Sequence, residues 1–192
     1  MASTVITVTG TAGAIVRTTT FRLTVTAPAC PAPLFISSNT NNYNIWTTVG
    51  STWPAGCPVV LTINAGVVVG SNSISSAALT TGAFPSGTSI TIINNGTIVG
   101  KGGNGGAGGY MATPSVPGGT GQSGGDALWL TLPVSIDNTD GLIYGGGGGG
   151  GGGSLKVVAI GTGIPGGGGG GGAGRNDGIG GIGGLVWNGS TY

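Results

Sequence analysis

Val134-Ser135-Ile136-Asp137-Asn138-Thr139-Asp140-Gly141-Leu142-Ile143-Tyr144 runs straight into nine consecutive glycines, residues 145–153. A short apolar segment, residues 154–165, follows, and then seven more glycines, residues 166–172. A chain that leaves a strand for unbroken glycine has no side chains from which to build a conventional core. The stretch is either a flexible linker or a packed set of extended glycine helices. That choice decides the fold.

Composition argues for order. Glycine supplies 47 of 192 residues, only 5% of the chain is charged, and histidine and glutamate are absent. Collagen requires glycine at every third position with abundant proline between. Here the glycines come in blocks and the 10 prolines lie elsewhere. Disordered chains are highly charged and poor in apolar residues, whereas this one is 38% hydrophobic with a mean hydropathy of +0.36. The expectation is an all-β protein with essentially no α-helix, held largely by backbone hydrogen bonds.

A net charge of +1 offers no handle for nucleic acid or anionic lipid. No apolar run approaches the roughly 20 residues of a membrane span. The start Met1-Ala2-Ser3 has neither the basic nor the apolar region of a signal peptide. Two cysteines, Cys30 and Cys57, flank a segment rich in Pro, Asn and Trp. They either close a loop, with a stabilisation of ~3 kcal/mol, or remain two buried thiols. The sequence leaves both open.

Outward from the glycines, the chain reads as two parts. Residues 1–58 form a β-rich attachment and oligomerisation part. Thr4-Val5-Ile6-Thr7-Val8-Thr9 alternates, residues 10–13 signal a turn, and alternation resumes through Phe21, Leu23 and Val25. The stretch resembles the last strands of bacterial and phage immunoglobulin-like repeats. Two strands alone are marginal, so the hairpin calls for a partner sheet. Residues 27–58, punctuated by five prolines, read as a transition, with 39–44 a polar loop.

Residues 59–192 begin with a weak internal repeat. Val60-Leu61-Thr62-Ile63-Asn64-Ala65-Gly66-Val67-Val68-Val69-Gly70 is one copy. Ser89-Ile90-Thr91-Ile92-Ile93-Asn94-Asn95-Gly96-Thr97-Ile98-Val99-Gly100 is a second, and the opening quotation is the third. Each reads strand, Asn/Asp/Gly corner, strand, glycine. Such corners suit short β-solenoid-like coils or type I′ hairpins. The long, irregular distances between copies favour the solenoid.

Glycine blocks follow the second and third copies. An extended polyproline II strand rises ~3.1 Å per residue with no internal hydrogen bond. Alone it is unstable, because glycine loses the most entropy on ordering. Packed side by side, such strands can donate to neighbours all round, and five glycine segments of comparable length are present (102–109, 118–125, 145–153, 166–174, 178–184). Gly145, Gly149, Gly153, Gly166 and Gly172 are the structural positions expected in a polyglycine II bundle.

The order of these parts resembles phage tail-fibre and tail-tip proteins: "ITIINNGTIVGKGGNGGAGG", then "GGDALWL", then "VSIDNTDGLIYGGGGGGGGG". Similar sequences occur in the distal adhesins of T-even long tail fibres and at the ends of siphophage central fibres. The resemblance covers residues 61–184. It implies a polyglycine II sandwich whose connecting loops contact a host receptor, protein or glycan. It also implies other tail or fibre proteins as partners and a virion location. A homotrimer is expected instead from the two uncovered amino-terminal strands, which closed cyclic symmetry would cover. The alternative is a monomer capping another protein's trimer, as the T-even adhesins do. The expected receptor-facing residues are Tyr110 and Met111, then Lys156, with Trp187 and Tyr192 near the carboxyl end. Leu128, Trp129 and Leu130 are expected to pack over the end of the bundle. The competing reading is a glycine-rich bacterial surface or ice-binding protein.

Other motifs weigh little. The glycine runs match the dinucleotide fingerprint trivially, without a helix or a following acid. With no histidine and two distant cysteines, metal and nucleophile constellations are missing, so no cofactor, metal or enzyme is expected. The acids are Asp126, Asp137, Asp140 and Asp177. Asp137 and Asp140 could pair as glycosidase carboxylates or calcium ligands, but on a corner Asp usually bonds its own backbone.

Overall fold

The computed structural model describes residues 2–25, 29–50, 53–112, 114–159, 162–175, 178 and 181–183. The protein is almost entirely β, and among the described residues the helix is a single turn, α1 (Ile45–Val49). The chain divides into two compact units, Met1–Pro31 and Ala32–Tyr192.

The first unit is an antiparallel hairpin of β1 (Ala2–Ala12) and β2 (Ile15–Val25). Ala12 faces Ile15, so Gly13 and Ala14 make the turn, and Gly13 adopts φ 60, which glycine reaches without strain. Register places Ile6 opposite Phe21 and Thr4 opposite Leu23. One face thus carries Ile6, Val8, Ile15, Phe21 and Leu23, while threonines dominate the other. Among the described residues of its own unit nothing covers that apolar face, and Phe21 is 50% exposed.

The second unit is organised by three parallel sheets. One joins β3 (Leu34–Ile36), β6 (Val59–Ile63), β9 (Ile90–Asn94) and β12 (Val134–Asp137). The next joins β4 (Thr40–Asn41), β7 (Val68–Gly70), β10 (Thr97–Val99) and β13 (Leu142–Tyr144). The third joins β5 (Tyr43–Asn44), β8 (Leu79–Thr80) and β11 (Leu128–Trp129). Every neighbour pair in these sheets is parallel, which excludes hairpins at the Asn/Gly corners. Each circuit of the chain therefore sets its strands on those of the circuit before.

Alternation explains the core. Val59, Leu61 and Ile63 face inward on β6, as do Ile90, Ile92 and Asn94 on β9. Leu34, Leu61, Ile92 and Ile136 form one inward row across the sheet. Asn94 is the polar member, fully buried at a corner. Its Nδ2 donates to Asn138 Oδ1 at 2.6 Å and Leu142 O at 3.2 Å, and its Oδ1 accepts from Gly96 N at 3.2 Å. A buried amide so bonded avoids the ~1–3 kcal/mol cost of an unmet polar group.

The division expected at residue 58 runs through one body of the fold, since Leu34–Ile36 pairs with Val59–Ile63 across it. Residues 39–44, expected as a loop, carry β4 and β5. Their polar side chains serve the corners: Asn39 Oδ1 accepts from Val68 N at 2.8 Å, and Asn42 Nδ2 donates to Ser71 Oγ at 2.8 Å. Both cysteines of the chain are disulfide-bonded.

Candidate functional site

The glycine segments grow directly from the second sheet. Strands β10 and β13 are parallel neighbours, and where they end their chains continue side by side as residues 100–109 and 145–153. Gly100, Gly103, Gly106 and Gly109 donate to Tyr144, Gly147, Gly150 and Gly153 at 2.8–3.1 Å. The hydrogen bonds recur every third residue. Residues 116–125 return in the opposite direction: Gly119, Gln122 and Gly125 donate to Ala107, Asn104 and Lys101. Residues 166–175 also return, with Gly166, Gly169, Gly172 and Arg175 donating to Gly109, Gly106, Gly103 and Gly100. Gly178 and Gly181 donate to Gly172 and Gly169, adding part of a fifth segment.

A repeat of three residues per turn sorts positions into columns. A Cβ on Gly149, Gly166 or Gly172 would collide with a neighbouring backbone carbonyl. On Gly145 it would meet nothing nearer than 3.5 Å, and on Gly153 nothing nearer than 3.2 Å. Of the five expected structural glycines, three are thus required by packing against backbone. The side chains obey the same rule. Lys101, Asn104, Ala107 and Tyr110 fall every third residue on the first segment. Pro117, Thr120, Ser123 and Asp126 do so on the second, and all four are exposed. This triplet spacing was present in the sequence and is the signal that block-wise reading of the glycines missed.

Because segments alternate in direction, their connections gather at one end. Gly109, Gly153 and Gly166 meet there through Gly109 N to Gly153 O, 2.9 Å, and Gly166 N to Gly109 O, 2.8 Å. The first connection, residues 110–117, is pinned by Tyr110 N to Val116 O and Val116 N to Tyr110 O, each 3.0 Å. The second is a small antiparallel hairpin, β14 (Lys156–Ala159) and β15 (Thr162–Ile164). The two touch: Met111 Cε lies 3.1 Å and Leu155 Cδ1 2.9 Å from where a Gly163 Cβ would stand. Glycine at 163 lets both side chains close over the hairpin.

Tyr110, Met111 and Lys156 are therefore brought to one end of the lattice. Tyr110 and Met111 are half-buried and Lys156 is exposed. Ile164, opposite Lys156 in the hairpin, is 54% exposed. Trp187 and Tyr192 lie outside the described residues, as does Asp177. At the other end of the lattice Leu128 is half-buried, but Trp129 is 61% exposed and Leu130 is exposed too, so these two do not cap the bundle as expected. Strand β11 pairs with β8 and aims Trp129 outward along the row Asn44, Thr80, Trp129.

Asp137 does corner work. Asp137 Oδ1 accepts from Thr139 Oγ1 at 2.7 Å and Thr139 N at 3.1 Å, and these bonds hold its carboxyl below the ordinary carboxylate pKa. Among the described residues no group of three or more His, Cys, Asp or Glu could hold a metal ion. Nor is any helix there long and apolar enough to cross a membrane.

Residues 31–192 match the family of the phage tail fibre adhesin Gp38, and the chain belongs to that family. The hairpin unit lies before the matched region, apart from Pro31. No curated protein and no solved structure matches the chain.

Proposed function

We propose that the chain is a non-enzymatic, receptor-binding component of a phage tail fibre, and that it meets the host cell through the connections at the free end of its glycine lattice. Residues 110–117 and 154–165 form that surface, with Tyr110 and Met111 as the main contacts and Lys156 beside them. The carrying observation is the convergence of these connections at one end of a backbone-bonded lattice, in a chain of an adhesin family. Backbone bonds fix the lattice whatever the loops contain, so loops can vary without cost to the fold. Tyrosine and methionine offer large, uncharged contact area, suited to sugar faces or the loops of an outer-membrane protein.

The three-residue hydrogen-bond period supports reading the lattice as polyglycine II. The in-register parallel sheets support reading residues 34–144 as a short β-solenoid. The apolar hairpin face supports attachment and homotrimer formation at the amino-terminal end, against further copies and other fibre proteins. Family membership favours a virion protein over the ice-binding or bacterial-surface alternative.

The test is adsorption of phage carrying Tyr110→Ala with Met111→Ala, alongside counts of intact particles. Intact particles should lose at least about tenfold in adsorption rate, the scale of two lost aromatic or thioether contacts. Normal adsorption by intact particles moves the receptor site elsewhere.

A further inference from the structure

We propose that an open cleft centred on Trp129, on the flank of the stacked strands, is a second binding site, for an uncharged saccharide. Strand β11 begins three residues beyond Gly125, at the base of the glycine lattice. Nine residues at ~3.1 Å put the loop end of that lattice about 28 Å away. The two sites are separate.

The cleft has a volume of about 380 Å³ and is lined by Asn42, Asn44, Ser75, Ser76, Thr80 and Trp129. It carries one aromatic face, amides and hydroxyls, and no charged side chain. An indole left 61% exposed, beside a wall of fixed amides, is unexplained by packing. Leu79 and Leu128, which precede Thr80 and Trp129 in the same sheet, supply the inward contacts. The chemistry matches a pyranose. Its C–H face stacks on an aromatic ring, and its hydroxyls exchange hydrogen bonds with amides and alcohols. A nucleotide would bring phosphates to a cleft without a cation, and a purely apolar ligand would strand the amides.

The polar wall is held in place before any ligand arrives. Asn42 takes a left-handed backbone, φ 52, which asparagine tolerates better than most residues. Its side chain is bonded at both ends: Nδ2 to Ser71 Oγ and to Ala77 O at 3.1 Å, Oδ1 from Asn72 N at 3.4 Å. Ser71 Oγ in turn donates to Ser73 O and Ser76 O, shaping the serine turn on the cleft's rim. Asn44 Oδ1 accepts from Thr47 N at 3.2 Å. A Cβ on Gly82 would stand 2.5 Å from that same oxygen, so glycine there makes room for the amide. Asn44 Nδ2 and the Ser76 hydroxyl donate to nothing among the described residues, and they are the groups left to meet sugar hydroxyls.

The experiment uses the full chain on an array of neutral hexose and N-acetylhexosamine oligosaccharides, followed by calorimetry on the best binder. The wild type should bind at least one neutral oligosaccharide. Trp129→Ala should weaken it by at least about tenfold and Trp129→Phe by less, because stacking requires an aromatic ring. Tyr110→Ala with Met111→Ala should leave the affinity unchanged. Circular dichroism will show each variant folded, as expected for an exposed tryptophan. The proposal is overturned if no neutral oligosaccharide binds at millimolar concentration. It is equally overturned if Trp129→Ala binds as the wild type does, or if the Tyr110 and Met111 changes alone abolish binding.

Discussion

Alanine at Gly149 and at Gly148, one residue apart in an unbroken glycine run, should have opposite effects. A Cβ on Gly149 meets only backbone: the Asn104 carbonyl, with Gly105 N at 2.7 Å. Nothing there can rotate away, so the segments must separate. The bonds from Gly149 N to Gln122 O and from Gly106 N to Gly150 O, both 2.8 Å, then stretch or break. Two backbone bonds at ~1 kcal/mol each, with ~1–3 kcal/mol of overpacking, give a loss of about 3–5 kcal/mol. On Gly148 the nearest atom to a Cβ is Gln122 O at 3.6 Å, an ordinary contact, and the backbone is not left-handed. Alanine there restricts the unfolded chain and gains ~0.4–1 kcal/mol. At ~2–4 °C per kcal/mol for a chain of this size, Gly149→Ala should lower Tm by about 6–20 °C. Gly148→Ala should leave it unchanged or raise it by about 1–4 °C. Differential scanning calorimetry of the full chain reads both. Equal losses at the two positions would refute the three-residue column argument, since a flexible or differently wound run would not distinguish them.

Two further outcomes follow. The Asp137 carboxyl should titrate below the ordinary carboxylate value in a carbon-detected NMR titration, and Thr139→Ala should raise its midpoint. The corner's contribution is then complete above the ordinary carboxylate pKa and is lost as pH falls through the depressed folded value; a midpoint indifferent to Thr139 removes this account. Light scattering on the isolated, folded chain should give a trimer mass through the apolar hairpin face, and a mass of 18.2 kDa would leave the hairpin without that role.

The sequence was most legible where side chains alternate. The stretches around Val60, Ile90 and Val134 were comparable because each puts mainly aliphatic residues inward at a period of two, and these stretches pair in register. The circuit at residues 34–44 was not legible. Its strands are two or three residues long, too short for alternation to emerge. Its asparagines look like loop residues because their side chains bond neighbouring circuits. The surrounding prolines suggested interruption, yet Pro33 precedes β3 and Pro54 and Pro58 lie before β6, so none removes a ladder donor. Trp129 was misjudged for a related reason. Between Leu128 and Leu130 it reads as part of an apolar plug, but period two places the indole opposite Leu128, facing solvent.

The glycine lattice also explains how so few side chains can present a surface. Parallel neighbours β10 and β13 set the spacing of residues 100–109 and 145–153, and the returning segments bond into both. At the base, Arg175 closes the fourth segment against Gly100, and its side chain fills the space a Cβ on Gly70 would need at the end of β7. Each lattice segment is thus anchored at the sheet end and bonded along its length. A loop leaving such a segment starts from a fixed point: residues 110–117 span from Gly109 to Gly118, and residues 154–165 from Gly153 to Gly166. The Tyr110–Val116 bonds and the Lys156–Ile164 pair close them. Within them Met111 and Leu155 close over Gly163, so that glycine is constrained as well. Loop positions outside these contacts can vary at less cost than the positions of Gly149, Gly166 and Gly172, where a Cβ would meet a backbone carbonyl.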